Sequence, residues 1–190
     1  MAIKTTSAGF DSVPELHLPR YDELPEIELY MDQVVALTQK YLSPLLREGA
    51  EKAVTSSMVN NYVKQGAIPP PAKKRYSREH LARLLIICVI KPILPIPSIQ
   101  SLMQNYLNRC TVSEMYDRFC DMYERLAAQT LELARAHWQE LRQREGSDEV
   151  LQDDLTVRMA ITASVYRLLI EAMLGTAKPQ DKGPKDAEEK

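Results

Sequence analysis

No glycine or proline interrupts the chain between residues 111 and 145, and Thr111-Val-Ser-Glu114 opens that run with the reciprocal capping pattern of a helix start. Together these facts predict one helix of about 34 residues, ~50 Å long at the standard rise. Its seam residues Tyr116, Phe119, Tyr123, Leu126, Thr130, Leu133 or Ala134, Trp138 and Leu141 recur at alternating threes and fours. A helix-pairing seam has this spacing, and so does an ordinary long core helix. Gly146-Ser147-Asp148 marks a turn. Residues 150–174 then read as a last helix, mostly apolar through Leu155, Val157, Ile161, Val165, Leu169 and Ile170. The expectation is a helical hairpin over 109–175, serving dimerisation or an effector. The tail 176–190 has no apolar anchor and is expected to be disordered.

Punctuation is dense upstream, in residues 55–81, TSSMVNNYVKQGAIPPPAKKRYSREHL. Thr55, Ser56 and Ser57 can each cap a helix start, and Met58, Val59, Tyr62 and Val63 recur at helical spacing. Ser57, Asn60, Asn61 and Lys64 fall on the other face. Gly66 supplies the left-handed residue that closes a helix, and Pro69-Pro70-Pro71 cannot re-enter one. Lys73-Lys74-Arg75-Tyr76 follows, and Ser77 caps another helix.

Charge separates this segment from the rest. Residues 52–83 carry a net +6 while the remainder carries −8, which gives −2 for all 190 residues. A compact basic island on an acidic background is the electrostatic footprint of a nucleic-acid surface, although charge runs are more often solvated loops. The capped helix with Asn60 and Asn61 on its outer face favours the former.

Residues 1–24 read as an extended arm, because Pro14 and Pro19 favour open chain and the apolar residues show no period. A first helix is expected from near Pro25, with Glu26 and Glu28 suited to its dipole and Leu29, Tyr30, Val34, Leu37 and Tyr41 along its stripe. The helix from 77 to about 91 is apolar nearly all round, so it belongs at the centre of a core. Cys88 within it is a packing residue. Another helix runs from 97 to 107. His80, with no second histidine nearby, is a helix-turn contact or a phosphate neighbour.

The spacing Tyr62, Gly66, Ile68, Pro69, then Arg75-Tyr76-Ser77 with Glu79 and Leu81, resembles the DNA-binding domain of the MerR superfamily of transcription regulators. In that family a helix ending in Arg-Tyr-Tyr-Glu and a Gly-Leu leads into a winged loop and a Tyr-Ser-x-x-Asp-Leu helix start. Tyr62 matches the second tyrosine, Gly66 the glycine, and Tyr76-Ser77 the end of the wing. Asn60, Asn61 and Val63 depart from the arginine, first tyrosine and glutamate. With LPRYDELPEIELYMDQV upstream, the run is similar to an uncharacterised MerR-like bacterial family catalogued only as a domain of unknown function (DUF1836 type).

Enzymatic chemistry finds little footing, since the chain has no phosphate-cradling glycine loop, His-Glu metal helix or nucleophile elbow. Asp153-Asp154, and Asp121 with Glu124, read as solvated acids. Cys88, Cys110 and Cys120 lack metal-ligand spacing and disulfide density, so a reducing cytoplasm is expected, with no cofactor and no metal. Nor is there a signal-peptide core, or an apolar run approaching the ~20 residues of a membrane span.

The expected fold is all-α with a small β wing: a MerR-like winged helix-turn-helix over 25–108, then the long-helix hairpin. The expected function is sequence-specific DNA binding by a transcriptional regulator, as a homodimer on an inverted repeat. Thr55 and Ser56 would meet a phosphate, while Ser57, Asn60, Asn61 and Lys64 would face the major groove. Lys73, Lys74, Arg75 and Arg78 would hold backbone or minor groove, and Tyr62 and Tyr76 join the set through the family motif. The alternative is a helical protein-interaction module whose basic loop binds an acidic partner. A small-molecule sensor, its hairpin holding an apolar ligand, is a third possibility compatible with DNA binding.

Overall fold

The computed structural model describes residues 16–45, 52–143 and 147–175. Its architecture is built from helices: α1 (Met31–Leu42), α2 (Ser56–Lys64), α3 (Arg78–Ile90), α4 (Ile96–Leu107), α5 (Val112–Leu141) and α6 (Asp148–Met173). Short 3-10 turns at Tyr21–Glu23 and Ser43–Leu45 add to these. Among the described residues no helix is long and apolar enough to cross a membrane.

α3 is the centre, as its all-round apolarity requires. Leu81, Ala82, Leu84, Leu85, Ile86 and Ile87 are all buried, and α1, α4 and α5 pack around them. Each such leucine or isoleucine contributes about 1.5–3 kcal/mol relative to exposure. Cys88 lies in this core with its thiol pushed up to about 11 by burial, which makes it inert. Gln39 of α1 accepts the Ala53 N–H at 2.9 Å, and Lys91 at the end of α3 donates to the Ala53 carbonyl at 3.2 Å. The entry to α2 is thereby pinned from two sides.

Three expectations change. No strand forms among the described residues, so the β wing is absent; its place is taken by isolated bridges, Leu29 with Tyr76 and Ala72 with Arg75. The loop is too short and proline-bound to pair further, because proline offers no N–H to a ladder. The helix-turn-helix likewise finds no support: after α1 the described chain runs only through the 3-10 turn Ser43–Leu45 and resumes at residue 52, just before α2. Finally, α1 begins at Met31 instead of near Pro25. Leu29 exchanges both backbone hydrogen bonds with Tyr76 at 2.8 Å, which holds it extended, and the Tyr30 N–H is capped by Gln33 Oε1 at 2.8 Å.

The expected loose arm is ordered where it is described. Leu18 and Leu24 are fully buried, and Arg20 reaches Glu124 at 2.7 Å and Asp121 at 2.9 Å on α5. The Tyr21 N–H donates to Asp117 Oδ1 at 2.8 Å. A strap therefore clasps the first half of α5 to the core, and the acids read as solvated include two of its partners. Residues 1–15 and the tail 176–190 lie outside the described residues.

α5 starts with the expected capping box, the Thr111 N–H and hydroxyl both donating to Glu114 Oε2 at 2.8 and 2.9 Å. Its first half, through Met115, Tyr116 and Cys120, belongs to the main core. Further along it leaves the core, and Trp138 and Leu141 meet Leu151 and Leu155 of α6 in a second small cluster. Ile170 and Leu174 bring the end of α6 back against the main core. Between these anchors Val157, Ile161, Val165, Leu168 and Leu169 are exposed.

Candidate nucleic-acid interface

α2 is set by its cap and its stop. The Thr55 hydroxyl accepts the Met58 N–H at 3.3 Å. At the other end Gly66 has φ 75°, and the Ala67 and Ile68 N–H groups both turn back to the Tyr62 carbonyl at 2.9 and 3.3 Å. A side chain at Gly66 would be strained by that φ and would meet Gln100 Nε2 of α4 at 2.9 Å. Val59 and Tyr62 are buried, while Ser56, Ser57, Asn60, Asn61 and Lys64 are exposed. The face expected to read DNA is thus solvent-facing as a unit. Thr55 is half-buried and occupied by its cap.

The basic loop is a tight turn. The Arg75 N–H donates to the Ala72 carbonyl at 2.8 Å, with Lys73 at φ 48° and Lys74 at φ 64°. Two successive positive φ values are the pattern of a type I′ turn, which ordinarily takes Asn and Gly. Lysine there costs about 1 kcal/mol or more per residue. Both lysine side chains are exposed at the tip.

The base of the loop is closed by His80. Its Nδ1 accepts the Ser77 N–H at 3.0 Å and sits 2.8 Å from the Ser77 hydroxyl, a capping box with imidazole where glutamate is usual. The other nitrogen, Nε2, is buried and turned toward the carbonyls of Pro70 and Pro69, without a bond of good geometry. Burial is the main cause that pulls the His80 pKa below its ordinary value. The ring stands edge-on to Tyr76 at 5.4 Å.

Not every candidate is at the surface. Tyr62 is buried, its hydroxyl pushed up to about 12 by desolvation, and Tyr76 is buried as well. Both are core residues, with little of either ring open to a partner. Arg78 is turned inward, 3.2 Å from Glu26 and over the Tyr21 ring at 5.4 Å. Arg83 is half-buried, so the basic island narrows to Lys52, Lys64, Lys73, Lys74 and Arg75. Sequence reasoning missed Tyr30, whose ring carries the Arg75 guanidinium at 4.1 Å. Nothing in the sequence set it apart from the apolar stripe of α1; its exposure is visible only in the structure. Among the described residues no cluster of His, Cys, Asp or Glu could hold a metal.

A family model described as "Domain of unknown function (DUF1836)" matches residues 19–126. Both ends of the Arg20–Glu124 clasp lie inside that span. No curated protein and no solved structure matches the chain.

Proposed function

The chain belongs to the family described as Domain of unknown function (DUF1836), and from that premise we propose that it is a sequence-specific DNA-binding transcriptional regulator acting as a homodimer. The observation that carries the reading is the strained dilysine turn. Lys73 and Lys74 occupy left-handed backbone that glycine or asparagine would fill at less cost, and they hold two cations at an exposed tip. In this reading they grip phosphates, while Asn60 and Asn61 of α2 meet base edges. Asparagine pairs bidentately with adenine, so a preference for A·T positions follows. The order of parts, a glycine-stopped helix, a proline loop and a basic turn before a Ser77-capped helix, supports a MerR-like ancestry.

The dimer rests on α5 and α6, whose hairpin exposes Leu126, Leu133, Val157, Ile161, Val165 and Leu168. Two-fold symmetry would then impose an inverted-repeat site, with half-sites about one helical turn apart or a multiple of it. Genome-wide recovery of DNA bound to the tagged protein tests the function. Sharp enriched peaks sharing an inverted repeat support it; diffuse recovery at low salt alone counts against it.

A second reading has its own observation. Exposed Ile27 and Tyr30 flank Lys73 and Arg75 in an open groove that Glu28 and Gln33 also line, a surface with two cations against one acid for an acidic segment with apolar side chains. Recovery of a stoichiometric acidic protein in place of DNA peaks would favour that interaction module.

A further inference from the structure

An apolar cavity of about 250 Å³ lies between α3, α4 and α5. Its floor is made by Ile86, Ile99, Met103 and Met115, all buried, and its rim by the more exposed Tyr106, Met122 and Arg118. A second cleft of about 240 Å³, of mixed polarity, shares Tyr106 and Arg118 with it and adds Asn105, Arg109 and Cys110. The two spaces meet at the same pair of residues, so an apolar chamber opens beside a cleft that carries two guanidinium groups. Glu114, one turn before Arg118, accepts both donors of Thr111 and also feels the Arg118 charge, so a ligand carboxylate would share Arg118 with it.

We propose that this pair of cavities is a binding site for a small amphipathic carboxylate, such as a medium-chain fatty acid or a single-ring aromatic acid. The apolar body fills the chamber, where its burial supplies about 0.8 kcal/mol per methylene. The carboxylate stays in the second cleft on Arg118 and Arg109, whose forked donors match its geometry. At about 250 Å³ the chamber falls just below the ~300–1,000 Å³ typical of ligand pockets, which excludes bulky ligands. Charge selects within the remaining class: an acid complements the arginines, an amine is repelled by them, and a neutral alcohol leaves them unused. The site lies at the start of α5, away from the α5–α6 hairpin cluster that the sequence alone suggested for a ligand.

Calorimetric titration of the full chain with decanoate, decanol and decylamine tests this without reference to DNA, so its failure and failure of the regulator reading are separable. Decanoate should bind at least tenfold tighter than decanol, and decylamine should not bind. Arg118→Gln, a surface change that leaves the core intact, should bring decanoate down to the decanol level. Leu102→Trp, filling the chamber from its α4 wall, which Leu102 helps to line, should abolish binding of both with the helical circular dichroism unchanged; if it unfolds, the Arg118→Gln comparison decides alone. Equal affinity for acid and alcohol, or no effect of Arg118→Gln, would overturn the site. So would binding to phosphatidylglycerol vesicles with none to free decanoate.

Discussion

Arg75 lies with its guanidinium carbon 4.1 Å from the centroid of the Tyr30 ring, so the last residue of the dilysine turn rests on the residue that caps α1. The turn is thereby fixed to the helical body at its basic end. Removing the ring by Tyr30→Ala should cost about 0.5–1 kcal/mol, the range for a partly exposed cation–π pair, in urea unfolding. It should also weaken DNA binding by loosening the turn while leaving the salt dependence intact, because no charge is lost. A salt slope reduced as much as by Arg75→Ala would show that Tyr30 is not acting through position.

The left-handed lysines make a sharper prediction, because fold and function pull in opposite directions there. Lys74→Asn places a residue that tolerates φ 64° and should leave stability unchanged or raise it by up to about 1 kcal/mol. The same substitution should lower DNA affinity and reduce the slope of log affinity against log salt by about 0.9. Thermal unfolding and fluorescence anisotropy on one preparation check both halves.

His80 predicts a pH dependence of stability. Its folded-state pKa lies below the ordinary 6.5, chiefly through burial, so the unfolded chain takes up the proton first. Wherever the unfolded state binds more protons, stability rises with pH. Stability should therefore fall as pH drops below about 6.5 toward the lower folded value, and be flat above it. His80→Gln keeps an acceptor for the Ser77 N–H and should flatten the profile over that window. Denaturant midpoints at pH 5 to 8 measure it, and identical slopes in both proteins would contradict it.

Much of this was legible in the chain itself. The caps Thr55, Ser77 and Thr111, the stop at Gly66 and the all-round apolarity of α3 locate their helices to within a residue or two, because each works through neighbours three or four positions away. What periodicity could not reveal was contact across long separations. Leu18 and Leu24 show no period yet are fully buried, since a strap buries residues one at a time. Leu29 was drawn into a helix by pattern, whereas its bridge to Tyr76 was invisible. The island's charge was read correctly, but Arg78 could not be known to face Glu26. Tyr62 and Tyr76 entered the site by resemblance and left it by burial.

The exposed face of α6 predicts assembly. Ile161 and Leu168 are each 59% exposed on a helix whose apolar anchors lie only toward its two ends, which is an unusual amount of apolar surface for a free chain. Light scattering at micromolar concentration should give the mass of a dimer. Ile161→Lys with Leu168→Glu should give a folded monomer of weaker DNA affinity, and a wild-type monomer would remove the inverted-repeat expectation.

The central claim is that α2 reads and the turn holds, and paired substitutions measured on two duplexes test it most directly. On the recovered site, Asn60→Ala or Asn61→Ala should cost about 1–3 kcal/mol, with little change on a random duplex. Lys73→Ala and Lys74→Ala should weaken both duplexes alike and lower the salt slope by roughly one unit each. If the lysine substitutions leave binding to every duplex unchanged while the protein stays folded, the basic turn is not a DNA surface, and the account is contradicted.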